Sequence, residues 1–233
     1  MVHGSRKLRR AATRAAVAIT VAFVLLVPAP VAAGTASPII FNARDDFRVS
    51  PNEANPSGPW SYRRTAPNGN KPLLPNFSTD VSNVCGPSGE GQQVWFGPEV
   101  LDLPAVWKNT TGSDAFPCGA FVPAGALMAH PGNEHAVVIR WTSPIAGSIH
   151  VRAALIDRDD FCGEGVNWAI RVLGQPPIAK GNIPNGGLAK VRAGWFHVEQ
   201  GSRLELRVGR GPDHNGCDST QVRLRIALSP DNI

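Results

Sequence analysis

The chain has 233 residues, with 23 Lys+Arg against 18 Asp+Glu and a formal net charge of +5. That surplus sits in the first 33 residues, whose five charged side chains (Arg6, Lys7, Arg9, Arg10 and Arg14) are all basic; taking five from 23 leaves 18 cations against 18 acids in the rest. A nucleic-acid or anionic-membrane reading built on net charge therefore fails, and no run of lysines or arginines remains after residue 33 to restore it.

Residues 1–33 read as a secretory signal peptide. A basic start is followed by the apolar run "AAVAITVAFVLLVPAPVAA", which closes on the small residues Val31-Ala32-Ala33. Pro28 and Pro30 break the run before it reaches the ~20 residues that a spanning helix needs. The stretch "LRRAATR" lacks the rest of a twin-arginine pattern, and no cysteine stands near the cleavage point to take a lipid. The expectation is a secreted protein with no membrane insertion after cleavage. Residues 34–45 read as an irregular lead-in, and 46–233 as one domain long enough to bury a single core.

Further along, strict alternation of apolar and polar residues predicts strands. In "SIHVRAAL", Ile149, Val151, Ala153 and Leu155 face one way; in "VNWAIRV", Val166, Trp168, Ile170 and Val172 do. "RLELRV" repeats the pattern with Leu204, Leu206 and Val208, and "VRLRIAL" with Val222, Leu224, Ile226 and Leu228 opposite Arg223 and Arg225. A period of two buries one face and wets the other, as in an antiparallel sheet. "HAVVIRW" (135–141) reads as a more fully buried strand. The turn clusters "PNGNKP", "SPIAG", "IPNGG" and "GRGPDHNG" separate these runs. Many short strands and polar turns predict an all-β antiparallel sandwich.

Four cysteines follow the leader: Cys85, Cys118, Cys162 and Cys217, none in a CxxC pair. In an exported chain they read as two disulfides rather than a zinc site, with three connectivities open. Cys162 lies in "DRDDFCGEG", between two predicted strands, and Cys217 in "RGPDHNGCDST", between two others. If both loops share a rim, the favoured pairing is Cys162–Cys217 with Cys85–Cys118.

Three segments, "NPSGPWSY" (55–62), "LMAHPGNEHAVVIRWTSPIAGSIHV" (127–151) and "LELRVGRGPDHNGCDST" (204–220), occur in an order and spacing that resembles a jelly-roll, galactose-binding-like module of secreted bacterial proteins. The resemblance covers residues 45–228; the stretch 75–120 departs from the pattern, and its cysteines are not part of it. It implies a jelly-roll β-sandwich of the kind found beside carbohydrate-active or surface domains. It carries over no catalytic residue: Gly147, Trp141 and His130-Pro131-Gly132 match as turn, core and bend.

Candidate chemistry is sparse. Asp157, Asp159, Asp160 and Glu164, with Asp213 and Asp218 from the facing loop, offer the hard oxygens that calcium takes, although the spacing is not that of an EF-hand. The same carboxylates are candidates for a glycosidase pair, and solvated or disulfide-fastened rim loops are the plainer reading. "GPSGEG" (86–91) lacks the last glycine of a nucleophile elbow. "HPGNEH" (130–135) contains Pro131-Gly132, which prevents the helix that presents a zinc-binding histidine pair. Exposed aromatic rings stack on sugars, so Trp60, Tyr62, Trp95, Phe96, Trp107 and Trp195 are ligand-binding candidates, with Trp141 and Trp168 placed in the core. The reading is a secreted, non-catalytic β-sandwich that requires no cofactor and binds a glycan or cell-surface component through rim loops or a sheet face. The alternatives are a polysaccharide hydrolase using rim carboxylates and a structural or protein-binding envelope module.

Overall fold

The computed structural model describes residues 37–49, 54–82, 89–98 and 104–231. The expected signal peptide and Cys85 lie outside the described residues. The strands run in chain order β1 (Ile39–Asn42), β2 (Trp60–Arg64), β3 (Asn76–Ser78), β4 (Gln92–Phe96), β5 (Ala105–Asn109), β6 (Leu127–His130), β7 (Val137–Thr142), β8 (Gly147–Asp157), β9 (Val166–Val172), β10 (Pro177–Ile183), β11 (Leu188–Val198), β12 (Arg203–Arg210) and β13 (Thr220–Pro230).

The last eight strands form one long hairpin rolled on itself. β9 pairs with β10, β8 with β11, β7 with β12 and β6 with β13, all antiparallel. Rolling then brings β13 against β8 and β12 against β9. Two facing sheets result, ordered β11-β8-β13-β6 and β10-β9-β12-β7. This is jelly-roll connectivity, as the resemblance implied, in the antiparallel sandwich that the alternation predicted. The earlier strands widen it: β5, β4 and β3 extend the first sheet beyond β6, and β2 borders β7 in the second.

Part of the predicted lead-in is not irregular. Ile39–Asn42 pair with β13 in the register Ile39↔Leu228 to Asn42↔Arg225, continuing the edge that β6 leaves at Val222. Three consecutive apolar residues, two of them β-branched, suit that edge, but the segment is too short to show alternation.

Period-two burial holds along β8 and β9 and through most of β13. In β8, Ile149, Val151 and Leu155 are fully buried and Arg152 is exposed. Burying each such aliphatic side chain contributes ~1.5–3 kcal/mol. Trp60 and Trp141, side by side in register on β2 and β7, are wholly buried in the core, and the Phe41 ring of the other sheet lies 5.3 Å from Trp141. A second, smaller apolar cluster of Val94, Trp107, Ala120, Val122, Ala126 and Met128 lies on the other side of β4–β6, under the 110–126 connection. Arg158 seals its border, donating through Nε to Gln221 Oε1 at 2.9 Å with its guanidinium 5.5 Å from the Phe121 ring. The outer face of the first sheet is thereby divided. The β4–β6 half is roofed, and the half made by β1, β13, β8 and β11 is open.

One buried carboxylate on the second sheet gathers three cations. Glu205 of β12, 1 % exposed, accepts from Arg140 Nε at 2.9 Å and pairs with Lys71 Nζ at 3.0 Å and Arg171 Nη2 at 3.4 Å. Burial pushes its carboxyl upward, but the hydrogen bonds from Lys71 and Arg140 outweigh burial and hold it below the ordinary glutamate value. Removing one partner of a buried pair leaves an uncompensated charge, at a cost of about 3 kcal/mol. Glu205→Gln is therefore expected to lose about that much stability in urea denaturation at pH 7. Because the folded carboxyl is depressed, the wild-type advantage is present above the ordinary glutamate range and disappears as pH falls through the depressed value.

Candidate functional site

The acidic rim resolves into a fastening. The β8–β9 and β12–β13 connections lie side by side and are joined by Cys162–Cys217, with Cα atoms 5.7 Å apart across 55 residues of sequence. In the chain-entropy model a loop of that size contributes about 4 kcal/mol. Gly163, at φ 82°, lets the backbone close on the bridge, since a Cβ there would lie 3.1 Å from Gly216 O. Among the described residues no cysteine is free.

The predicted metal-ligating carboxylates mostly bind backbone. Asp159 Oδ2 accepts from Ser219 N at 2.8 Å, Glu164 Oε1 from Asp213 N at 2.8 Å, Asp218 Oδ2 from Gly211 N at 3.3 Å and Asp157 Oδ1 from Asp159 N at 3.0 Å. Asp160 and Asp213 are exposed, whereas Asp157, Asp159 and Asp218 are buried. Among the described residues no group of three or more His, Cys, Asp or Glu side chains is arranged to hold a metal ion. Two of these contacts, Ser219 N to Asp159 and Asp213 N to Glu164, cross from one loop to the other. Asp157 Oδ2 and Asp218 Oδ1 are buried without a hydrogen-bond partner. Burial accordingly raises both carboxyls, that of Asp218 to about 7, helped by the charges of Glu164, Asp157 and Asp159.

The open half of the first sheet presents a different chemistry. Three cross-strand rows face solvent there. In the first, Ile40, Ala227, His150 and Trp195 lie side by side. In the second, Asn42 is followed by Arg225, Arg152 and Arg192, one arginine per strand. In the third, Arg223 and Lys190 flank Ala154. All five cations are exposed. Among the described residues none of the three laddered arginines has an ion pair, unlike the cations around Glu205.

Trp195 is aimed by a local irregularity. β11 pairs regularly with β8 from Leu188 to Ala193, then shifts register at Gly194 before Trp195 meets His150. The extra residue is a bulge, a device that re-aims side chains. It sends Phe196 inward against the core and leaves Trp195 58 % exposed, tilted against the His150 ring at 5.6 Å. Just beyond, His197 pairs with Glu199 at 3.1 Å and lies 3.8 Å from Asp231.

The other aromatic candidates are placed inside. Trp60 and Tyr62 alternate with Ser61 and Arg63 on β2 and point into the main core at 0 % exposure. Trp95 is also in that core and donates through Nε1 to Arg48 O at 2.8 Å. Trp107 belongs to the smaller cluster, with Phe96 packed against it, half-buried. Sequence reasoning missed the arginine ladder. Arg225 was legible as outward-facing, but only the pairing places Arg152 and Arg192 beside it.

No family model and no curated protein matches this chain. Solved structures do, at low identity. The CBM51 module of Clostridium perfringens GH95, solved in complex with methyl-galactose, is 7 % identical with a TM-score of 0.36, covering 82 % of this chain and 100 % of that one. The M60 catalytic domain with two CBM51 domains from Clostridium perfringens ZmpB gives 12 % and 0.39, over 82 % and 20 %. A family 35 carbohydrate binding module from Clostridium thermocellum gives 14 % and 0.27, over 43 % and 76 %.

The raised carboxyl of Asp218 has a signed consequence for stability. Between the ordinary aspartate value and about 7, the folded state holds a proton that the unfolded state has released, so stability falls as pH rises through that window and levels off above it. Asp218→Asn mimics the protonated form. Its melting temperature is expected to match wild type at pH 4 and exceed it at pH 8. Equal shifts at both pH values would remove Asp218 from this account.

Proposed function

We propose that this protein is a secreted, non-catalytic β-sandwich that binds a glycan on the open face of β1, β13, β8 and β11, with Trp195 as the stacking platform. The carrying observation is Trp195 itself. Keeping a large aromatic in water forgoes the burial that stabilises the other five tryptophans, which are at most 9 % exposed. A bulge holds it outward, and a neighbouring ring braces it.

A pyranose ring has one or two faces of C–H groups, and these pack on an indole much as another apolar ring would. Hydroxyls at the ring edge require hydrogen-bonding groups beside the platform. His150, Ser148 and His197 stand on the same face, at and next to Trp195 in the β8–β11 register. An open sheet face with one exposed indole and flanking polar groups suits an extended chain lying across the strands. Secretion is supported by the leader pattern and by the Cys162–Cys217 disulfide, since such bonds form and persist in oxidising compartments. The rim carboxylates are assigned to fastening, because the buried ones are held by backbone N–H groups.

The test is affinity electrophoresis of the mature protein through gels cast with galactan, mannan, xylan or polygalacturonate. Retardation by at least one polymer is expected, and Trp195→Ala should weaken it about tenfold or more, equivalent to ~1.4 kcal/mol. Because Trp195 is the exposed indole, the same variant should lose most acrylamide-quenchable fluorescence while keeping its far-ultraviolet circular dichroism. Retardation unchanged in Trp195→Ala would move the site elsewhere, and release of reducing ends from the polymer would indicate a hydrolase.

A further inference from the structure

Three side chains in the ladder ask for an explanation that folding alone does not supply. Arg225, Arg152 and Arg192 occupy directly paired positions on three adjacent strands. Such positions place Cα atoms about 5 Å apart, and like charges directly opposite one another disfavour the sheet. Arg223 and Lys190 add two more cations one row away. β1, β8, β11 and β13 contain a single acidic residue, Asp157, which is buried at the rim end of β8.

Protection of a sheet edge explains only part of this. β11 is an edge strand, where exposed Lys and Arg discourage pairing with another chain. Arg152 and Arg225 stand on β8 and β13, which are hydrogen-bonded on both sides and need no such guard. The second sheet also carries outward cations; three of them, Lys71, Arg140 and Arg171, gather around the buried Glu205, while Arg63 and Arg203 are spread over that face. Among the described residues no carboxylate pairs with a ladder arginine.

We propose that the open sheet face selects an acidic polysaccharide, one bearing carboxylates along an extended chain, with Arg225, Arg152 and Arg192 pairing those carboxylates while Trp195 stacks on a sugar ring. This rests on the glycan-binding reading above and names the class of glycan. Guanidinium groups hold carboxylates through two parallel N–H donors, and one arginine per strand offers such a donor pair at intervals close to a single sugar residue. Single-stranded nucleic acid fits the face less well. It stacks successive bases on several rings, whereas Trp195 is the one exposed indole among the described residues and the chain after residue 33 has no net charge to attract a polyanion from afar.

The probe is polygalacturonate, compared with the same polymer fully methyl-esterified, which keeps the backbone and removes the charge. Binding of the mature protein at 150 mM salt is expected to be at least tenfold tighter to the acid form. Arg152→Ser should remove most of that preference while leaving binding to the ester unchanged. Arg63→Ser, the same charge change on the outer face of the second sheet, should leave both affinities alone. If acid and ester bind equally, or if Arg152→Ser and Arg63→Ser weaken binding alike, the ladder is not a selective site and the inference is overturned while glycan binding stands. If single-stranded DNA or anionic vesicles bind as tightly as polygalacturonate at the same salt, the face is a general polyanion surface and the inference is equally overturned. If neither polymer binds, nor any neutral glycan in the gels above, the function proposed for the whole face fails with it.

Discussion

β8 is the strand on which the rest of this molecule depends. It lies between β11 and β13, is paired along nearly its whole length with each, and faces the core with alternate residues from Ile149 to Leu155. A slip of one residue would exchange its buried aliphatics for His150, Arg152 and Ala154. Core burial therefore fixes the register, and the register fixes what the outer face displays. The arginine ladder and the Trp195 row follow from the same pairing that builds the hydrophobic interior.

The two faces of the sandwich solve the problem of outward charge differently. On the second sheet a buried carboxylate gathers three cations into one network. On the first sheet a loop and its small apolar cluster roof one half and leave the other half open. Among the described residues, the open half has three laddered arginines without an ion pair and an exposed tryptophan ring.

The rim illustrates how a buried acidic cluster can be structural. Backbone N–H groups and a disulfide occupy the loops that a sequence reader would offer to calcium or to a pair of catalytic carboxyls. The same burial that makes the cluster look chemically interesting raises the carboxyls of Asp157 and Asp218, so its signature is a pH-dependent stability.

Strict alternation in the stretches that became β8, β9, β12 and β13 was enough to establish an antiparallel sandwich from sequence, because period two is a local property of each strand. The Cys162–Cys217 bridge was also legible, since each cysteine sat in a loop between two recognisable strands. The disposition of the aromatics was only partly so. Trp60 and Tyr62 alternate with Ser61 and Arg63, yet which parity meets the core depends on the strand beside β2. The bulge at Gly194 was invisible, because an extra residue reveals itself only against a partner strand. The ladder was likewise beyond reach. Arg152, Arg192 and Arg225 are up to 73 residues apart in sequence, and charge counted along the chain sums to zero after the leader. Local periodicity determined the elements and their wet faces. Which wet residues become neighbours was decided by long-range pairing, and on this protein that pairing assembles the candidate site.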